Sequence, residues 1–358
     1  MSLPKKETLR IAYLDILKIL SIFAVLIIHA SVEGFYYPPF SVKYVFTVML
    51  SCLSRFAVPV FVMCSGAVFL SKEREFTIKQ IFFKYIFRIV VVLIVTSVFY
   101  ECVTILEVYF KTGVFDLFLI KRGIYNLLSF NTHFHLYYLY IMVLVYAFVP
   151  LIRTFLKASD KSTDFYLLVF LFVTANLLPT LRFFFPFDRY FGGITTQFSQ
   201  NLSYGMISYF FLGYFLNTYT LTKKQTSLVV LLGILGGVAT FLLTTINTIK
   251  TGVLCEFFLN STAVNVYFMA AGLFAFIKSA FKKPLKDKTL NVLSLLSKST
   301  FVTYLIHPFF NIIFKNLGLS LSAFSPLLSL PVMVLINFVL CFFVYLVLSK
   351  IPLIKKFI

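Results

Sequence analysis

The sequence predicts an all-α membrane protein that crosses a lipid bilayer about ten times. Two observations carry this reading: 60% of the residues are hydrophobic and only 13% are charged. A third is that the apolar residues gather into blocks of about 20, the length that spans hydrocarbon. Soluble domains run nearer a quarter charged. Mean hydropathy is +0.95, so the bulk of the chain needs lipid as its solvent. Aromatic residues reach 19%, with 47 Phe, 21 Tyr and no Trp, which leaves Tyr to supply an interfacial belt.

The first apolar run, near 11–30, follows basic residues as a secretory signal would. Asp15 and Lys18 interrupt it where a cleavable segment stays apolar, so it is read as a retained helix. The second run, 44–70, contains SRFAVPVFVMCSGAVFL. Pro59 there predicts a kink four residues after Arg55, and Ser65 and Gly66 offer a close-packing face. The third run, 81–110, opens on Lys84 and Arg88, one helical turn apart; the fourth, 135–152, opens on His133 and His135. Runs near 165–181, 203–219, 227–247 and 262–281 are plain apolar spans. The ninth, 299–317, carries His307 just before Pro308, and the tenth, 327–349, completes the set. The longest polar connection, near 182–202, is expected to form only a small external cap. Neither an internal repeat nor a fused soluble domain is found, so residues 1–358 are read as one transmembrane domain.

Lys and Arg number 32 against 13 acidic residues, a net charge of +19. They sit in short clusters between apolar runs, the positive-inside pattern of cytoplasmic loops, not the basic groove of a nucleic-acid binder. With ten alternating crossings and an inner amino terminus, the outer segments hold only Lys43, Lys111, Lys121, Arg122, Arg182, Arg189, Lys250 and Lys315. Lys18 and Arg55 fall within the bilayer, and every other cation is inner. Both termini are therefore expected in the cytoplasm. The five cysteines lack metal-ligand spacing, and neither a disulfide framework nor a metal is expected.

An ionisable side chain in hydrocarbon costs at least about 2.5–3.5 kcal/mol, so it faces a cavity or a partner. Lys18 and His29 are eleven positions apart in the first helix. At about 100° and 1.5 Å per residue they share a face and stand roughly 16.5 Å apart along the axis. Asp15 lies one turn before Lys18. Two readings stay open from this spacing: an Asp15–Lys18 ion pair with an interfacial histidine, or a polar channel with a titratable base at its far end. His133 and His135 belong to the same leaflet as His29, which favours the second. His307 either satisfies carbonyls released by Pro308 or takes part in chemistry. Arg55 needs a carboxylate or an anionic ligand, with Asp15 and Glu101 as candidate partners. Lys84 and Arg88 are topology anchors or a grip for phosphates.

Four blocks resemble, in order, the membrane acyltransferase-3 family. They are Asp15-x-x-Lys18 followed by ten residues and His29, the second-run block above, HLYYLY with VPLI in the fourth run, and TYLIHPFF in the ninth. The resemblance covers most of the chain. It implies transfer of an acyl group, usually acetyl from cytosolic acetyl-CoA, to a glycan hydroxyl on the outer side of the cytoplasmic (inner) membrane. It implies that Lys18 fills the basic place of the first motif and His29 the place of the general base. His135 takes the fourth-helix histidine place, and Arg55, Lys84 and Arg88 take basic places suited to acyl-CoA. Asp15, His133, Glu101 and His307 are read as support for substrate or structure. Two departures are noted: Lys18 stands where many relatives carry arginine, and Ile16 where glycine is frequent. The alternative is a transporter or flippase of a lipid-linked glycan, against which stands the lack of duplicated halves.

Overall fold

In the computed structural model, which describes residues 11–114, 117–129, 131, 133–184, 187–198, 202–281 and 285–358, each of the ten apolar runs is helical. The chain starts as α1 (Ala12–Ala30), α2 (Val42–Leu53), α3 (Ala57–Phe69), α4 (Ile78–Thr112) and α5 (Leu117–Leu128). Then come α6 (Phe134–Ala158), α7 (Lys161–Leu181), α8 (Phe187–Phe198), α9 (Leu202–Thr218) and α10 (Lys223–Thr251). The last four are α11 (Val264–Ala280), α12 (Asp287–Asn316), α13 (Pro326–Leu348) and α14 (Pro352–Lys355). Among the described residues eight segments are long and apolar enough to cross a membrane, α2 and α3 together making one of 28 residues. The other two runs are α9, of 17 residues, and α12, whose 30 residues include Lys298, His307 and Lys315. The basic residues Lys5, Lys6, Arg10, Lys282 and Lys283 lie outside the described residues.

The polarity of the bundle is that of a protein solvated by lipid. Phe83, Phe87, Ile94 and Val95 are exposed, while Asp15, His135, Asp164, Asn265, His307 and Asn337 are buried. Helix ends follow local chemistry. Thr77 with Gln80, and Thr222 with Gln225, form capping boxes that start α4 and α10. Gly113 and Gly252 end the same two helices at φ 70, where a side chain would strain the backbone. Asp160 caps α7, accepting from the amide and hydroxyl of Thr163 at 2.8 and 2.6 Å. That pair of bonds, the hydroxyl's first, holds the Asp160 carboxyl below the usual carboxylate range. Gly66 and Gly213 bring α3 and α9 together. A Cβ on Gly66 would lie 1.8 Å from the Phe210 carbonyl oxygen, and one on Gly213 2.0 Å from that of Met63.

Three departures from the sequence reading have physical causes. The second crossing is broken at Ser54–Phe56, not merely kinked at Pro59. Proline offers no N–H to the Arg55 carbonyl, and the chain relaxes by ending one helix and starting another a turn earlier. Residues 81–86 form a π-helical turn in place of the regular α-helix expected through Lys84. The polar connections contain α5 and α8, each 12 residues, too short to cross hydrocarbon at 1.5 Å per residue.

Candidate active site

α1 stands among α2, α3, α11, α12 and α13, so the polar stripe on it faces protein on most sides. At its Lys18 level lies a cavity of ≈ 260 Å³ walled by α1, α3, α4, α6 and α12. Lys18 and Arg88 are the cations on its lining, and Ser65, Ser297 and Thr300 add hydroxyls. Arg88 is fixed at the wall because its Nε donates to the Phe357 carbonyl at 3.0 Å, and its guanidinium sits 5.7 Å from the Phe301 ring. Lys84 does not line the cavity; it is exposed, beside the Tyr85 ring at 5.4 Å. A pair expected to act together is thus separated, Arg88 on the cavity and Lys84 outside it.

Tyr138 and Tyr304 line the same cavity, and their rings meet edge to face at 5.3 Å. Each lies three residues, close to one helical turn, from a histidine: Tyr138 from His135 and Tyr304 from His307. The Tyr304 hydroxyl donates to the His135 backbone carbonyl. Tyr304 thus stands between the cavity and the rings of His135, at 5.6 Å, and His307, at 6.4 Å. None of the four histidines is on the cavity lining, although Lys18 and His29 share one face of α1.

Beyond Tyr304 the four histidines of the chain meet. The His29 ring is 5.0 Å from His307 and 5.4 Å from Phe134, and the His135 ring is 5.6 Å from His307. His133 Nδ1 and His135 Nδ1 are 2.7 Å apart, and His135 Nε2 is 3.3 Å from the Leu305 carbonyl. A carbonyl only accepts, so Nε2 of His135 carries the proton, Nδ1 accepts, and His133 Nδ1 donates. Both nitrogens of His135 are therefore engaged. Tyr100 completes this corner, stacked on His133 at 4.3 Å and donating to the Leu305 carbonyl at 2.8 Å. His307, fully buried, points Nδ1 back at its own helix, 2.8 Å from the Tyr304 carbonyl and 3.1 Å from that of Thr303. Pro308 leaves the Tyr304 carbonyl without its helical donor, and the imidazole takes that place. His307 Nε2 is buried with no partner.

Arg55 falls at the histidine end, close enough to His29 for its charge to act there, and not on the cavity lining. Its ion pair with Asp15 or Glu101 is absent among the described residues. Nη2 donates to Ser51 at 3.3 Å, and the buried Nε has no partner. Glu101 instead accepts from Asn126 of α5 at 3.0 Å, an element the sequence reading lacked. Asp15 and Lys18 are not ion-paired with one another; both lie near the buried Cys64 of α3, and Lys18 opens onto the cavity. Sequence reasoning missed Tyr138, Tyr304 and Tyr100. With 21 tyrosines in the chain, only their one-turn offset from histidines, or for Tyr100 nothing local, could have singled them out. Among the described residues no three His, Cys, Asp or Glu side chains are placed to hold a metal ion.

The helices thus bring together a basic cavity, a tyrosine pair and clustered imidazoles in a multi-helix membrane protein. The model of the acyltransferase-3 family, described as an acyltransferase domain, matches residues 11–346, and the chain belongs to that family. It is a membrane acyltransferase, which decides against the transporter reading. No curated protein and no solved structure matches the chain.

Proposed function

We propose that the protein is an O-acyltransferase of the cytoplasmic membrane. It moves an acyl group, acetyl in the first instance, from cytosolic acyl-CoA to a hydroxyl of a glycan at the outer face. Both termini are cytoplasmic in this reading. The sequence blocks most resemble the enzyme that O-acetylates enterobacterial common antigen, so a lipid-linked surface glycan is the first acceptor to test. The observation that carries the reading is a single one: a basic cavity on α1 is lined by Tyr304, whose ring lies 5.6 Å from His135 and 6.4 Å from His307, and His307 in turn lies 5.0 Å from His29.

The cavity takes the donor's thin pantetheine arm with its adjoining phosphates, while the bulky adenosine stays at the mouth on the side of Lys84. Lys18 and Arg88 neutralise donor phosphates or their dipoles, and Ser65, Ser297 and Thr300 offer hydroxyl partners to the arm's amides. Bound acyl-CoA supplies an activated thioester. His29 removes the proton of the acceptor hydroxyl and later holds it for the departing sulfur. Arg55, with an unpartnered buried Nε, places positive charge where the carbonyl oxygen becomes negative. His133 and His135, locked together and to Leu305, support the acceptor side.

The test is acetyl-CoA turnover by the purified protein with glycan acceptor present. His29→Ala lowers kcat by about 10²–10⁴-fold, the usual contribution of a general base. A His29→Ala protein as active as wild type ends the assignment.

A further inference from the structure

We infer that His307 is the positioning residue for His29, accepting the N–H of the His29 ring on its own Nε2. The inference rests on the proposed role of His29 and extends it to a residue on another helix.

The geometry has three parts. First, the tautomer of neutral His307 is set by its surroundings: Nδ1 faces two carbonyl oxygens at 2.8 and 3.1 Å, neither of which can donate. The proton is therefore on Nδ1 and the lone pair on Nε2. Second, that lone pair is fully enclosed and has no partner, in a side chain with 0% exposure. A buried acceptor left empty costs stability, so its retention needs a reason. Third, among the described residues the ring centred nearest to that of His307 is His29, 5.0 Å centre to centre and tilted by 38°. The two rings are not directly bonded in this conformation. Imidazole nitrogens lie about 1 Å from the ring centre, so turning His29 about its side-chain bonds closes the contact, and catalytic hydrogen bonds are often long before substrate binds.

With that bond made, His29 presents its other nitrogen, carrying a lone pair, to the acceptor. The accounting balances without a further reactant. The acceptor O–H breaks and its proton goes to His29; the O–C bond forms as the C–S bond breaks; the proton then passes from His29 to the thiolate sulfur. While His29 is charged, its N–H to His307 Nε2 is a charge-assisted bond, stronger than the neutral one. His307 keeps its Nδ1 proton throughout. It thus does two jobs, repairing the carbonyl that Pro308 exposes and orienting the base.

Two variants separate those jobs. Asn at 307 places an amide N–H where Nδ1 stands and nothing where Nε2 stands; Gln places its amide near Nε2, with an oxygen able to accept from His29. The expected result is that His307→Asn unfolds at the wild-type temperature, keeps the KM for acetyl-CoA, and loses kcat by about 10²-fold. His307→Gln retains more activity than His307→Asn. The reverse order, or His307→Asn within threefold of wild-type kcat, overturns the inference and leaves His307 a repair of the proline site. Should neither variant fold, ring-¹⁵N-labelled histidine gives only four pairs of signals in the wild-type protein, matching its 4 His. Loss of His29 must then move the His307 Nε2 resonance, and an unmoved resonance overturns the inference. If instead His29→Ala itself turns over acetyl-CoA normally, the parent reading fails, which His307→Asn alone does not test.

Discussion

Replacing Lys18 by Met keeps the aliphatic stem and removes the ammonium from the cavity wall. One charge-assisted hydrogen bond to an ionised group contributes about 1.5–3 kcal/mol. At 1.4 kcal/mol per factor of ten, that corresponds to about 10–150-fold in binding. Among the described residues Lys18 shares the cavity lining with one other cation, Arg88, whose Nε bond to the Phe357 carbonyl holds it at its own wall, so it does not move into the place of the lost ammonium. The expected outcome is a KM for acetyl-CoA raised by that factor with kcat nearly unchanged. The informative assay compares acetyl-CoA with S-acetylpantetheine, which has the same thioester and arm without phosphates. Lys18→Met should weaken the first and spare the second. An equal effect on both substrates refutes the placing of Lys18 at the donor's anionic end, and an effect on kcat alone assigns it to chemistry.

Other outcomes follow from single contacts. Gly66→Ala puts a Cβ against backbone of α9, and overpacking of this kind costs about 1–3 kcal/mol, read as a lower unfolding temperature in detergent. Tyr138→Ala opens the wall beside Tyr304, so turnover of butyryl-CoA should rise relative to acetyl-CoA; an unchanged ratio rules out a sieve at that position. Asp160→Ala removes the cap of α7. Because the folded-state pKa of Asp160 is depressed, the cap is fully present above the ordinary carboxylate pKa and lost as pH falls through the lower folded value. The difference in unfolding temperature between wild type and Asp160→Ala should therefore shrink in acid; a gap that widens contradicts the assigned bonds.

Much of the fold was legible because lipid imposes one dominant rule, that backbone polar groups be satisfied within the segment. Apolar runs longer than a crossing had few other options than helix. The break at Ser54–Phe56 was not legible in place: Pro59 announces lost hydrogen bonding but not where the chain will yield. Nor was the π turn before Arg88, which has no residue signature. At the site, the shared face of Lys18 and His29 could be read from eleven residues of helical phase. The meeting of His29 with His307 could not, since it depends on how α1 packs on α12. The same holds for Arg55. Its sequence demanded a counter-charge, and the fold instead leaves its Nε open beside a histidine, as polar groups kept for a ligand are.

A passage wide enough for a thioester arm is also wide enough for water and small cations. Across an energised membrane each unit charge gains about 2.3 kcal/mol per 100 mV, so an open pore through this protein would drain the gradient the cell lives on. In the proposed mechanism the edge-to-face rings of Tyr138 and Tyr304 would keep the two compartments apart. On that reading they act as a gasket, the rings parting only when a long, uncharged arm fills the gap they leave. Proton leakage through vesicles holding the Tyr138→Ala protein would measure how tightly that gasket holds.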